Sequence, residues 1–189
     1  MDTLALKNEL RRQVGERLSS MTDAQRHEAS SQARSRLGHQ KLWQRARSIL
    51  FFAPLPREPD IWPLLETALS EGKTVGLPRF DPALKTYRAC RIQHATRDVQ
   101  IGNFGIREPG PDCGELPAQL DVILVPGMAF DPHGRRLGRG KGFYDRLLAQ
   151  VRGTTCAVAF DEQIVEVLPV EPHDIHVNCI LTPTRWIEL

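Results

Sequence analysis

The chain has 189 residues and a mass of 21.3 kDa, with 41% hydrophobic residues, 25% charged residues and a formal net charge of +2. That is enough chain for one well-formed core and short for two, no apolar run approaches the roughly 20 residues a membrane helix needs, and the charge is too small to imply nucleic-acid binding. Cys90, Cys113, Cys156 and Cys179 form no C-x-x-C pair, so zinc knuckles, dithiol redox motifs and a disulfide framework are all unsupported.

A single domain over residues 1–189 is therefore expected. The N-terminus, MDTLALKNELRRQVGERL, is charged and amphipathic and lacks the apolar core of a secretory signal, which points to the cytoplasm. Leu6, Leu10, Val14 and Leu18 recur at steps of four and predict a helical stripe, with Lys7 and Arg11 as a neighbouring row on the same side. Residues 1–50 hold ten Lys/Arg against five acids, an excess that a polyanion would welcome. Arg and Lys are also good helix formers on solvated faces, the reading preferred for most of the ten.

TDAQ at 22–25 has capping-box form and opens a second helix ending near Gly38. The texture then changes. SILFF (48–52), TVGLP (74–78), DVILVP (121–126), TCAVAF (155–160) and NCILTP (178–183) are short apolar runs bounded by Pro, Gly or Asp, and predict buried strands. Between them DIWPLLETALSEG, with Asp60 as cap and Gly72 as terminator, FYDRLLAQV and DEQIVEVL predict helices. Residues 80–118 are rich in Gly and Pro and yield one strand, TYRACRI. The expected fold is α/β: one three-layer domain, a mainly parallel sheet flanked by helices and preceded by N-terminal helices. Ligands in such sheets collect at the carboxyl ends of strands, here the loops after residues 52, 78, 125 and 160.

Residues 134–150, GRRLGRGKGFYDRLLAQ, follow the strand DVILV and run straight into a helix. Gly138, Gly140 and Gly142 free the backbone to bring its N–H groups to an anion, while Arg135, Arg136, Arg139 and Lys141 supply charge for polyphosphate oxygens. The spacing excludes the common labels: Gly142 replaces the Ser or Thr of a Walker loop, and G-R-G-K-G is not the dinucleotide fingerprint. On glycine and charge alone a mobile basic surface loop competes equally.

ILVPGMAFDPHGRRLGRGKGFYDRLL resembles the signature of the 5-formyltetrahydrofolate cyclo-ligase family. KNELR, PLPREPD, GKTVGLPR, NFGIREP and AFDEQIVEVLPVEPHDIHVNCILT extend the resemblance along nearly the whole chain. It implies an ATP- and magnesium-dependent closure of 5-formyltetrahydrofolate to 5,10-methenyltetrahydrofolate, with release of ADP and phosphate, by a monomer without nucleic-acid or membrane partners. It places ATP on Lys7, Arg11, Arg136, Leu137, Gly138, Arg139, Gly140, Lys141, Gly142, Phe143 and Tyr144, with Arg136, Arg139 and Lys141 as the catalytic cations. It places folate on Ala53, Glu58, Arg139, Phe143 and Tyr144, and magnesium on Asp145 and Asp174.

The chemistry suits these types. A pterin offers an N–H and an amino group side by side, a donor pair that the Glu58 carboxylate accepts, and magnesium wants one or two hard carboxylates besides phosphate oxygens. The chain departs from the family where Phe143 stands for a common Tyr, and where Arg139 and Lys141 stand at positions often Tyr or Gly. Two other readings stay open: a polyanion-binding module without chemistry, and an ATP-dependent enzyme acting on another acyl substrate. Trp43, Trp62 and Trp186 are read as packing, Asp131 and Asp161 as turn or helix caps, and Cys156 as inert.

Overall fold

The structure, a computed structural model, describes residues 2–102, 105–169, 171 and 175–189. It opens with helix α1 (Thr3–Ser20), where the Asp2 carboxylate accepts from Leu4 N–H at 3.2 Å. Helix α2 (Asp23–Gly38) starts in the predicted capping box, Thr22 and Gln25 exchanging hydrogen bonds. A short helix that the sequence did not suggest, α3 (Lys41–Arg45), leads into strand β1 (Ser48–Leu50). Helix α4 (Trp62–Ser70) follows, and Asp60 takes the expected capping part by accepting from Trp62 N–H at 3.0 Å. Gly72 ends that helix turn with φ +73°.

Strands β2 (Thr74–Asp81) and β3 (Thr86–Ile92) form an antiparallel hairpin. Within 80–118, where one strand was expected, the structure has two more, β4 (Val99–Ile101) and β5 (Arg107–Pro109), paired antiparallel as a separate small sheet. Three-residue strands carry too little alternation to stand out from a Gly- and Pro-rich stretch. Then come β6 (Gln119–Val125), the hairpin β7 (Ala129–Phe130) with β8 (Arg136–Leu137), helix α5 (Phe143–Leu148), β9 (Arg152–Val158), β10 (Cys179–Leu181) and β11 (Trp186–Glu188).

The central sheet has the order β11-β10-β9-β6-β1-β2-β3. Its inner strands β10, β9, β6, β1 and β2 are parallel neighbours, and only the two edge strands run antiparallel. Alternation along the strands splits the core into two layers, as a period of two requires. Ile49, Val122, Leu124 and Val158 face one side, where they meet Ala33 and Leu37 of α2, Trp43 of α3 and Leu65 of α4. Leu50, Ile123, Val125 and Ala157 face the other, against Leu147 and Leu148 of α5. Helices cover both faces, which is the expected three-layer α/β arrangement. A fully buried side chain such as Phe51 contributes about 1.5–3 kcal/mol to this core.

Two expectations fail locally. DEQIVEVL is not a helix: Asp161–Gln163 make a single 3-10 turn, and the chain leaves helical geometry at Ile164. The backbone donors a helix would use are taken by the neighbouring hairpin, Val165 N–H by Phe130 O at 2.9 Å and Leu168 N–H by the Asp131 carboxylate at 2.9 Å. Tertiary pairing thus overrides local propensity. On α1, Val14 and Leu18 are buried but Leu6 is 37% exposed, because the helix is rotated to bring Lys7 inward.

Candidate active site

Between β1 and its neighbour β6 the strand order reverses: the chain leaves β1 through α4 toward β2, and leaves β6 through α5 toward β9. The carboxyl ends of β1 and β6 therefore flank a topological switch point, the usual ligand crevice of open α/β sheets. A cavity of about 290 Å³ lies there, with Phe52 and Ala53 after β1 and Pro126 and Gly127 after β6 in its walls. Gly127 is required by packing, since a Cβ would fall 2.6 Å from the Phe130 ring.

The loop after β1 closes on itself around Glu58. Glu58 N–H donates to Leu55 O at 2.9 Å, and Leu55 N–H donates back to Glu58 Oε2 at 3.0 Å. The carboxylate is thereby fixed and buried in the cavity wall, 9% exposed as a residue.

The glycine-rich loop is delivered by the β7–β8 hairpin. Its turn is built on Asp131, fully buried, whose carboxylate accepts from His133 N–H at 3.0 Å and Arg135 N–H at 3.1 Å. Gly134 sits at φ +79° with its Cβ direction 2.7 Å from Val177 O, so the turn admits no side chain. Asp131 is therefore the turn cap expected of it. Asp161 does comparable work, accepting from Thr182, Thr184 and Arg185 side chains.

Arg136, which was expected among the free loop cations, lies on β8 and is buried, 8% exposed. Its guanidinium donates to Pro126 O at 3.3 Å and forms a close ion pair with Asp145 Oδ1. Arg139 reaches across the cavity, and its Nη2 donates to Glu58 Oε1 at 3.1 Å. Lys141 is exposed and makes no ion pair among the described residues. Gly142, at φ +63°, precedes α5 with no side-chain cap on the helix.

Behind the loop stands α1. Arg11 Nε donates to Gly138 O at 2.9 Å, while buried Lys7 pairs with Glu171 at 2.6 Å. Lys7, Arg11, Leu137 and Gly140 lie outside the cavity wall, whereas Ala53, Glu58, Arg136, Gly138, Arg139, Lys141, Gly142, Phe143, Tyr144 and Asp145 are in it. Asp174, the second expected magnesium ligand, lies outside the described residues, as does His173. Asp145 keeps Oδ2 without a protein partner among the described residues and faces the cavity beside the loop, so one hard oxygen is available for a cation.

Residues the sequence reading did not single out complete the site. Tyr87 of β3 joins an aromatic wall, its ring 5.7 Å from Phe143 and 6.0 Å from Tyr144, with Phe80 5.3 Å from Phe143. Burial, then the negative charges of Glu108 and Glu58, push the Tyr87 hydroxyl above its usual pKa. Burial does the same to Tyr144 more strongly, with Glu58 adding to it and Arg136 opposing. Arg107 and Glu108 of β5 form the remaining wall. Tyr87 and Ala89 alternate onto the α5 side of β3, the one signal that placed Tyr87 near the loop; nothing local marked Arg107 or Glu108.

Several N-terminal cations are paired with acidic neighbours. Arg12 bridges Glu9 and Glu16, Arg26 pairs with Asp23, and Arg34 with Asp60. These pairs are what a solvated helical face provides. No helix among the described residues is long and apolar enough to cross a membrane.

A cavity at the switch point, walled by a fixed carboxylate, aromatic rings and a cationic glycine loop, makes this chain an α/β protein built to hold a small polar ligand. A family model described as the 5-formyltetrahydrofolate cyclo-ligase family matches residues 3–183, and the chain belongs to that family of ligases. The 5-formyltetrahydrofolate cyclo-ligase of Mycolicibacterium smegmatis is 35% identical, over 96% of this chain and 95% of the relative. That of Escherichia coli is 33% identical, over 91% and 97%. The solution structure of Aquifex aeolicus 5,10-methenyltetrahydrofolate synthetase superposes with a TM-score of 0.88 at 32% identity, covering 97% of this chain and 93% of that one. A synthetase structure from Mycoplasma pneumoniae, 18% identical with a TM-score of 0.74 over 94% and 98% of the chains, shares the fold.

Proposed function

We propose that this enzyme closes 5-formyltetrahydrofolate to 5,10-methenyltetrahydrofolate at the expense of ATP, acting as a monomer in the cytoplasm. The observation that carries the reading is the meeting of Glu58 and the glycine loop in one cavity, where Arg139 touches Glu58 at 3.1 Å.

The chemical obstacle is a formamide carbonyl, a poor electrophile whose oxygen leaves badly. Transfer of the γ-phosphoryl group to that oxygen releases ADP and gives an imidate-like phosphate. Nitrogen 10 then bonds to the formyl carbon, the carbon–oxygen bond breaks with departure of phosphate, and nitrogen 10 loses its proton, leaving the conjugated methenyl cation. Such a reaction needs positioning and charge management above all.

The residues divide accordingly. Glu58 accepts the paired pterin donors, and its fixed orientation lowers the entropic cost of gripping them. Phe143, Tyr144 and Tyr87 offer flat faces to the ring. Gly138 to Gly142 bring backbone N–H groups to the triphosphate, with Arg139 and Lys141 over its oxygens and Arg11 holding the loop from behind. Lys7, buried and paired with Glu171, adds positive charge behind the loop on the same helix, α1. Arg136 acts from beneath the loop, orienting Asp145. Magnesium would rest on Asp145 and the phosphate oxygens, with Asp174 as the second carboxylate, and when bound it would neutralise charge on the transferred group.

Purified protein should generate the ultraviolet absorbance of the methenyl product from 5-formyltetrahydrofolate only when ATP and magnesium are both supplied. A preparation that is folded yet inert with all three present would refute the assignment.

A further inference from the structure

Four cationic side chains lie in the cavity wall, and three sit together on β8 and the glycine loop. Arg136 is paired with Asp145 and Arg139 with Glu58, while Lys141 projects from the loop. Arg107 stands on a different element, β5. Its guanidinium carbon lies 3.6 Å from the centroid of the Trp62 ring, a face-on stack, and it makes neither ion pair nor hydrogen bond among the described residues. Stacking holds the guanidinium plane while leaving its N–H edges free, the form in which arginine receives a carboxylate through two parallel hydrogen bonds.

Neighbouring acids do not satisfy it. Glu108, the next residue in the same wall, is buried, 7% exposed, and its carboxylate is engaged elsewhere. Its Oε2 accepts from Phe80 N–H at 3.1 Å, and its side chain packs where a Cβ on Gly102 would collide with it.

We propose that Arg107 is the anchoring residue for the carboxylate-bearing glutamyl tail of the substrate, and so sets preference for glutamylated over tail-less substrates. The inference rests on the folate reading above. A folate held by its pterin on Glu58 carries, at the far end, an aromatic amide of glutamate with two negative charges at neutral pH. That end cannot turn toward Arg139 and Lys141, where the triphosphate would repel it, nor back toward the Glu58 carboxylate, which carries the same sign of charge. The β5 wall remains, and its cation is Arg107.

The test compares 5-formyltetrahydrofolate with 5-formyltetrahydropteroate, which lacks the glutamate, in the wild type, Arg107→Ala and Arg107→Gln. Arg107→Gln preserves much of the packing on Trp62 without the charge, so it reports on the ion pair if the alanine variant folds poorly. In both variants KM for the glutamylated substrate should rise about tenfold, equivalent to about 1.4 kcal/mol. The change should fall on KM rather than kcat, and KM for the pteroate should move less than about twofold, so that the two substrates converge. Equal changes for both substrates, or none for either, would overturn the role of Arg107. A wild type that turns over neither overturns the folate reading itself, a separate and visible result.

Discussion

Arg139 Nη2 lies 3.1 Å from Glu58 Oε1, so the glycine loop leans across the cavity onto the carboxylate assigned to the pterin. The two subsites proposed above therefore share one ion pair. Glu58→Gln keeps the shape and removes the charge, which weakens the paired acceptance of pterin donors. Loss of a hydrogen bond to a charged group costs about 1.5–3 kcal/mol, so KM for 5-formyltetrahydrofolate should rise on the order of tenfold to a hundredfold. KM for ATP should move far less, and steady-state kinetics with each substrate varied separately would show it. Lys141→Ala should give the opposite split. Identical effects of the two changes on both substrates would remove the division of roles.

The Arg136–Asp145 pair carries a second prediction, because its two members differ in burial: the Arg136 side chain is 3% exposed and that of Asp145 26%. Removing one partner of a buried pair costs about 3–5 kcal/mol, and the partial exposure of Asp145 argues for the lower end. Asp145→Ala strands the Arg136 charge, whereas Asp145→Asn leaves an acceptor beside it. Both should lose magnesium-dependent turnover, yet only Asp145→Ala should lower the melting temperature markedly, by about 2–4 °C for each kcal/mol lost. Thermal unfolding of the two variants side by side checks this, and equal melting temperatures would show that the pair does not hold the loop base.

The parallel core was readable because Ile49–Leu50, Val122–Val125 and Cys156–Val158 are continuous apolar runs, which only strands covered on both faces tolerate. Gly138, Gly140 and Gly142 marked the loop for a similarly local reason. What escaped was set by distant partners. Arg136 and Arg139 look alike in the sequence; one is buried against Asp145 and the other crosses to Glu58, 81 residues away. The helix expected from DEQIVEVL failed because Asp131, 37 residues before Leu168, holds the Leu168 amide. Tyr87 and Arg107 entered the site through distant partners, Tyr87 against Phe143 and Tyr144 and Arg107 over Trp62, which no short window contains.

The chain has two tyrosines, and burial raises both above their usual pKa, Tyr144 more than Tyr87. Above about pH 10 an unfolded tyrosine releases its proton while the folded one retains it, so the folded state binds more protons and stability falls as pH rises. Below that value the contribution is fully present. An alkaline titration should therefore show little tyrosinate absorbance near pH 10 in the native protein, with ionisation delayed until the fold opens. Tyr144→Phe should reduce this alkaline loss of stability. Ordinary titration of both hydroxyls in the folded protein would contradict the aromatic wall described here.

The last prediction concerns the support of the loop from behind. Arg11 Nε donates to Gly138 O at 2.9 Å, and its Nη1 donates to Asn8 at 2.7 Å, so helix α1 holds the guanidinium against the loop backbone. Gly140, at φ +88°, has room for a Cβ, which would sit 3.6 Å from that guanidinium. A side chain there is opposed by backbone conformation rather than by space, at roughly 1–2 kcal/mol. Gly140→Ala should therefore lower kcat/KM for ATP by about tenfold while KM for the folate stays near its starting value. Arg11→Ala should weaken ATP use in the same direction, and the double variant should lose less than the product of the two, because both changes release one loop conformation. Strictly multiplicative losses would show that Arg11 acts on the nucleotide alone and does not brace Gly138.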